Sequence, residues 1–145
     1  MNDKFFLDTN VIVYSFDNDD PRKQRIARDL IRTALMHQQG CISYQVIQEF
    51  LNVATRKFSS PLSTRDCQVY LLDVLAPLCE IFPSFEFYSQ ALQIADRWQY
   101  SVYDALIIAA ALHAGCKTLY SEDMQDGQKV NGLLIVNPFR TESTE

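Results

Sequence analysis

The sequence predicts an α/β fold, a three-layer α/β/α sandwich around a central, mostly parallel sheet of about five strands. Short apolar runs typical of buried strands alternate along the chain with longer segments whose apolar residues recur at helical spacing. Strands and helices that alternate in this way form parallel sheets covered by helices on both faces. The 145 residues, 48% hydrophobic and 21% charged, suit a single globular domain, which we expect to span residues 1–140.

The first strand is predicted in the run from Lys4 to Tyr14, which is apolar on both sides of one carboxylate, Asp8. A short continuous apolar run is typical of a strand buried on both faces. An ionised carboxylate in such surroundings is unfavourable by several kcal/mol unless another group compensates its charge. Asp8, at the end of this strand, therefore needs a partner elsewhere in the chain.

The first long helix is predicted to begin at Pro21, capped by Asp20, and to end at Gly40. One of its faces is strongly basic and comprises Arg22, Lys23, Arg25, Arg28 and Arg32. Such a face is either an ordinary solvated helix surface or a surface that contacts phosphates.

A short second strand is predicted at Cys41–Tyr44, and the helix that follows carries Glu49 at the margin between its buried and exposed faces. A capping box at residues 63–66 begins a third helix, and residues 80–82 predict a strand. A fourth helix ends near Trp98. Its expected inner face consists of Phe85, Tyr88, Leu92 and Ala95.

The most apolar helix, Ala105–Leu112, directly follows Asp104 and is apolar on all sides, so we expect it at the centre of the fold. Lys117–Tyr120 and Leu133–Val136 predict the last two strands. The polar residues 141–145 are expected to form a frayed tail.

Composition and charge exclude some functional classes. No apolar run approaches the roughly 18 residues of a membrane span, and the start of the chain lacks a signal-peptide pattern, so we expect a cytoplasmic protein. The four separated cysteines predict reduced thiols in the core. The net charge of −5 argues only weakly against a nucleic-acid partner, because acids gathered around a cation lower the formal charge without repelling a phosphate.

Four acids are predicted at the carboxyl edge of the sheet, where α/β folds bind ligands: Asp8, Glu49, Asp104 and Asp123. Two carboxylates about 4 Å apart repel by roughly 4 kcal/mol at an effective dielectric constant of about 20. Such a cluster either takes up protons or holds a divalent cation, and oxygen-only ligands favour Mg²⁺ or Mn²⁺. Carboxylate-held Mg²⁺ typically serves phosphate chemistry.

Each of these acids also has an ordinary structural interpretation. Asp104 completes a Ser-x-x-Asp capping box with Ser101, Glu49 is a helix acid of the kind usually exposed, and Asp123 suits a turn. Glu122 and Asp126 lie close enough in sequence to replace Asp123 as the fourth acid.

Four passages of the chain resemble the PIN-domain ribonucleases and, in size and layout, the VapC-type toxins of toxin–antitoxin pairs. They are residues 6–11, 43–50, 101–107 and 119–124, followed by Asn137-Pro138-Phe139, and the resemblance covers about residues 4–139. It implies a metal-dependent endoribonuclease that forms a homodimer and is neutralised by a small antitoxin.

The resemblance also implies roles for individual residues. It assigns the metal-binding acids to Asp8, Glu49, Asp104 and Asp123, and a small polar residue near the metal to Asn10 or Ser121. Basic residues near the cleft that would position RNA are Arg22, Lys23, Arg56 and Lys57.

Two other functions stay open at this point. One is a phosphohydrolase of the haloacid-dehalogenase type with Asp8 as nucleophile, although Asn10 stands where that chemistry needs a second acid. The other is a non-catalytic RNA-binding or regulatory module of the same fold.

Overall fold

A computed structural model describes residues 3–141 of the chain. Its strands are β1 (Phe5–Leu7), β2 (Gly40–Ser43), β3 (Cys79–Ile81), β4 (Thr118–Tyr120), β5 (Lys129–Val130) and β6 (Leu133–Val136). Its helices are α1 (Thr9–Tyr14), α2 (Pro21–His37), α3 (Tyr44–Arg56), α4 (Thr64–Tyr70), α5 (Ala76–Leu78), α6 (Phe85–Trp98) and α7 (Val102–His113), with one π-helical turn (Leu71–Leu75) joining α4 to α5. Residues 142–145 lie outside the described part, so the predicted tail is not tested beyond Thr141.

The six strands form one sheet in the order β3-β2-β1-β4-β6-β5, with every neighbouring pair parallel except β5 and β6. The α/β fold with a mostly parallel sheet is therefore confirmed. The sheet has one strand more than the predicted five, because β5 pairs as a short hairpin with β6. Two residues are too few to show a strand periodicity in sequence.

Strand β1 and helix α7 lie at the centre of the molecule, as predicted, together with β2. All residues of β1 and β2 are buried, and α7 is buried continuously from Ala105 to Ala111. Burial on both faces of β1 follows from its place in the middle of the sheet between β2 and β4. Of the four free cysteines, Cys41, Cys67 and Cys116 are buried in the core.

Strand β1 ends at Leu7, directly before Asp8, and the rest of the apolar run to Tyr14 forms helix α1 rather than strand. The chain turns at Asp8, whose side chain accepts a hydrogen bond from the Thr9 N–H at 2.7 Å and caps helix α1. Val11 and Ile12 are fully buried as helix residues rather than strand residues. Hydrophobicity alone does not distinguish a buried strand from a short buried helix.

Gly40 begins strand β2 and does not end helix α2. The helix stops at His37, and Gln38 takes the left-handed conformation that terminates it. A Cβ atom at position 40 would collide with Ala34 and lie 2.7 Å from the Phe5 ring. Glycine is therefore required here for close packing of α2 on the sheet.

The predicted inner face of α6 is also wrong, except that Ala95 packs against the core. Phe87, Ala91 and Ile94 point into the core, whereas Phe85 and Leu92 are 94% and 58% exposed. Both sets of residues have helical spacing, so periodicity does not decide between them. The Ser84 cap on the Phe87 N–H sets where the helix starts, and tertiary packing selects the face.

Among residues 3–141, no helix has both the length and the apolar character needed to cross a membrane.

Candidate active site

Asp8 and Ser121 lie side by side because they follow neighbouring parallel strands. Leu7 of β1 is in register with Tyr120 of β4, and the Asp8 N–H donates to the Tyr120 carbonyl at 3.0 Å. The Ser121 hydroxyl donates to Asp8 Oδ2 at 2.7 Å, while the Thr9 N–H donates to Oδ1. Asp8 is only 6% exposed, so both of its oxygens receive hydrogen bonds in a buried setting.

Asn10 joins Asp8 to the loop after β4. Its Nδ2 donates to Asp123 Oδ2 at 3.2 Å and lies 3.5 Å from Asp8 Oδ2, and its Oδ1 accepts from the Glu122 N–H at 3.2 Å. The Ser121 hydroxyl oxygen accepts from the Asp123 N–H at 3.2 Å. Asn10 and Ser121, the two candidates for the small polar residue, therefore both connect Asp8 with Asp123.

Glu49 approaches the same edge of the sheet from helix α3. Its Oε1 accepts from the Thr9 hydroxyl at 2.5 Å, and its Oε2 accepts from Gln45 Nε2 at 3.1 Å. Gln45 Nε2 also lies 3.3 Å from the carbonyl oxygen of Tyr103. Thr9 and Gln45 were not predicted from the sequence. The available signals were the position of Thr9 beside Asp8 and that of Gln45 one helical turn before Glu49.

Asp104 stands in the first turn of α7, where its N–H donates to the Ser101 hydroxyl at 3.1 Å. The capping role of Ser101 expected from the sequence is thus present. Burial raises the pKa of Asp104, and the charges of Asp123 and Glu49 raise it further. Asp104 therefore shares an electrostatic environment with the other acids in addition to its place at the helix start.

Burial raises the pKa of Asp8 from 3.8 to about 7. Hydrogen bonds from Ser121 and Thr9 act in the opposite direction, and the charges of Glu49 and Asp123 add to the increase. Asp8 and Asp104 are each influenced by both Glu49 and Asp123, so the four predicted acids form one interacting group.

The two alternative fourth acids have other partners. Burial disfavours the charged form of Glu122, but hydrogen bonds from Lys23 Nζ at 2.5 Å and the Tyr14 hydroxyl at 2.7 Å outweigh it and lower the pKa. Asp126 accepts from the Asn137 N–H at 2.8 Å and pairs with Arg140, and both contacts lower its pKa. Asp123 is the acid in this loop that reaches Asp8, through Asn10 and Ser121.

Most of the basic face of α2 is occupied by contacts within the chain. Arg22 donates to the Phe139 carbonyl at 2.8 Å, Arg28 donates to the Ser15 carbonyl, and Lys23 pairs with Glu122. Arg56 and Lys57 are exposed at the end of α3.

A groove in two adjoining parts lies along α1 and α3, with Glu49 and Asp123 in its first part. Its first part, of about 500 Å³, is lined by Thr9, Asn10, Val13, Tyr14, Glu49, Asn52, Val53, Glu122 and Asp123. Its second part, of about 510 Å³, is lined by Val13, Phe16, Asp17, Asn18, Asp19, Val53, Lys57, Phe58, Ser59, Ser60 and Leu62. Val13 and Val53 border both parts, so the two parts adjoin each other.

The donor chemistry of the site fits a hard divalent cation. Within residues 3–141, no three His, Cys, Asp or Glu side chains are already placed to hold a metal ion. Mg²⁺, however, commonly uses one or two carboxylates and keeps several waters, so it does not require three assembled protein ligands. The acids around the groove offer only oxygen atoms, which suits Mg²⁺ or Mn²⁺.

Comparisons with known proteins agree with this architecture. Residues 5–127 match the PIN domain family. No curated protein is a significant match. Solved structures similar to the chain include a toxin–antitoxin complex from Klebsiella pneumoniae, with 17% identity, a TM-score of 0.66 and coverage of 93% of this chain and 98% of that chain.

Two other similar structures show the same fold. One is the sarcin-ricin loop cleaving toxin VapC20 of Mycobacterium tuberculosis, with 19% identity, a TM-score of 0.62 and coverage of 83% of this chain and 90% of that chain. The other is DNA-bound VapBC from Salmonella typhimurium, with 20% identity, a TM-score of 0.61 and coverage of 93% and 97%.

Proposed function

Because the chain belongs to the PIN domain family, we propose that it is a metal-dependent endoribonuclease and the toxin of a toxin–antitoxin pair. The observation that supports the proposal is that Thr9, Asn10 and Ser121 connect Asp8 with Glu49 and Asp123. The charges of Glu49 and Asp123 also raise the pKa of both Asp8 and Asp104. The toxins among the similar structures, one of which cleaves the sarcin-ricin loop, support the same reaction and an RNA substrate.

In this proposal the four acids hold Mg²⁺ or Mn²⁺ beside the groove. When bound, the cation would activate a water and stabilise the charge that develops on the scissile phosphate. The chain supplies the orientation: Ser121 and Asn10 direct Asp8 and Asp123, and Thr9 directs Glu49. Lys57, exposed on the groove, is the predicted RNA contact best placed to meet the backbone.

The purified protein is expected to cut single-stranded RNA internally with Mn²⁺ and to stop when EDTA is added. In the same gel assay, Asp123→Asn should lower the rate about 10- to 100-fold, the usual loss on removing a group that supports a metal site. Glu122→Gln should retain most of the activity, because Glu122 is engaged with Lys23 and Tyr14.

Two results would contradict this assignment. Cleavage at an undiminished rate in EDTA would exclude the metal-dependent mechanism. A large loss in Glu122→Gln with none in Asp123→Asn would make Glu122 the fourth acid.

No observation favours the phosphohydrolase alternative. Both oxygens of Asp8 accept hydrogen bonds, and Asn10 provides no second acid at the expected position. Glu49 and Asp123 line the groove, and Thr9 and Asn10 connect both of them with Asp8, which likewise supports an enzyme over a non-catalytic module.

We also propose two protein partners on different surfaces. The second part of the groove combines apolar side chains such as Phe16 and Leu62 with Asp17 and Asp19, which suits a small antitoxin with apolar and basic residues. The exposed side of α6 suits a second copy of the chain; with Phe82 it presents Phe85, Tyr88 and Leu92. The four free thiols support a cytoplasmic location.

Light scattering of the chain with and without its antitoxin is expected to distinguish the antitoxin-binding surface from the dimer interface. Leu92→Glu should convert a dimer into a monomer that still binds antitoxin, because a charge is placed only on the α6 side. Leu62→Glu should remain dimeric and lose the antitoxin. Each variant controls for the folding of the other, and a Leu92→Glu protein that stays dimeric would remove α6 from the interface.

A further inference from the structure

Gln45 is a buried polar side chain that connects two acid-bearing segments. It is 8% exposed, and its Nε2 group reaches Glu49 Oε2 at 3.1 Å on α3 and the Tyr103 carbonyl at 3.3 Å, next to Asp104 on α7. We propose that Gln45 is a positioning residue that holds Glu49 and the start of α7 in the arrangement needed to bind a divalent cation. This inference rests on the proposed function.

The first argument concerns geometry. Glu49 is held on its other oxygen by the Thr9 hydroxyl, so the connection continues from α7 through Gln45 and Glu49 to the residue after Asp8. Glu49 and Asp104 carry like charges, which repel each other. Without Gln45, nothing else among the described hydrogen bonds would hold Glu49 Oε2 against that repulsion.

The second argument concerns charge. The hydrogen-bond donors described for the side chains of Asp8, Glu49 and Asp123 are all neutral, namely Thr9, Asn10, Gln45 and Ser121. In the part of the chain from 3 to 141, Lys and Arg form ion pairs only with Asp29, Glu80, Glu122 and Asp126. An amide at position 45 thus orients Glu49 without neutralising it, and leaves its charge available to a cation.

The test compares Gln45→Met with Gln48→Met, which alters an exposed glutamine on the same helix. Calorimetric titration with Mn²⁺ should show affinity lowered about tenfold or more in Gln45→Met and unchanged in Gln48→Met, since outer partners of metal ligands typically contribute 10- to 100-fold. At saturating Mn²⁺, RNA cleavage by Gln45→Met should recover to near the wild-type rate, because all four acids are still present.

A purely structural role predicts lower thermal stability in Gln45→Met with unchanged Mn²⁺ affinity, and that result would overturn the proposal. If Gln45→Met does not fold, Gln45→Asn replaces it; its amide is one methylene shorter and should show the same loss of affinity. Wild-type protein that neither binds Mn²⁺ nor cuts RNA would refute the proposed function itself. Wild-type binding with equal binding in both position-45 variants would refute only the role of Gln45.

Discussion

Asp8→Asn is expected to abolish Mn²⁺-dependent RNA cleavage, lowering the rate by on the order of a thousandfold, while leaving the protein folded. Asparagine has nearly the same volume and keeps an oxygen that can accept from the Thr9 N–H and so cap helix α1. It lacks the negative charge that would attract a cation. The measurement is the cleavage rate of a labelled RNA at fixed Mn²⁺ concentration.

A measurement of folding stability distinguishes loss of catalytic activity from loss of the folded structure in this experiment. Because burial disfavours the ionised form of Asp8, Asp8→Asn should be at least as stable as the wild type at pH 8 in urea denaturation without metal. Asp126→Asn serves as the matched control, since Asp126 pairs with Arg140 and binds the Asn137 N–H away from the groove, and it should cut RNA normally. Undiminished cleavage by a folded Asp8→Asn protein would refute the proposed mechanism.

The part of the site that could be predicted from sequence is the part that depends on strand ends. Asp8 follows an apolar run and Asp123 follows Leu119, so a parallel sheet places them at one edge once the alternation of elements is recognised. The structure brings them together through Asn10 and Ser121. Glu122 and Asp126 pair with Lys23 and Arg140, which are distant in sequence, so these contacts could not be predicted in advance.

The two segments whose structure was predicted wrongly have a physical feature in common. Helix α1 and the buried face of α6 both lie in segments where two structures satisfy the same hydrophobic pattern. Local capping by Asp8 and Ser84, together with packing against the rest of the chain, decides between them. Gln45 was not predicted for a related reason. Its role depends on the contact with the Tyr103 carbonyl, which is distant in sequence.

The second large expected effect is a loss of stability as the pH rises in the absence of metal. The pKa of Asp8 is raised from 3.8 to about 7 by burial, and that of Asp104 is raised in the same direction. A carboxyl whose pKa is higher in the folded state binds its proton more tightly there. Its stabilising contribution is therefore complete below pH 3.8 and is lost as the pH rises through about 7.

Urea denaturation in EDTA should show this as a free energy of unfolding that falls between about pH 4 and pH 7, by a few kcal/mol for a shift of this size. The contribution of Glu122 to stability depends on pH in the opposite direction, because its pKa is lowered and its contribution is lost on acidification. Glu122 is present in both the wild type and Asp8→Asn, so its contribution cancels when their two curves of stability against pH are subtracted. The difference is the contribution of Asp8. Equal pH slopes in the two proteins would contradict the assignment.

Adding Mn²⁺ should reverse the loss, because a bound cation favours the ionised acids and stabilises the folded state in proportion to its affinity. At pH 8 the wild type should gain more stability from Mn²⁺ than Asp8→Asn, whereas at pH 5 protons compete for Asp8 and the gain should shrink. A gain of equal size at both pH values would mean that Asp8 does not take part in binding the cation. The same buried charge that makes the metal-free protein less stable at neutral pH is thus the feature expected to bind a divalent ion.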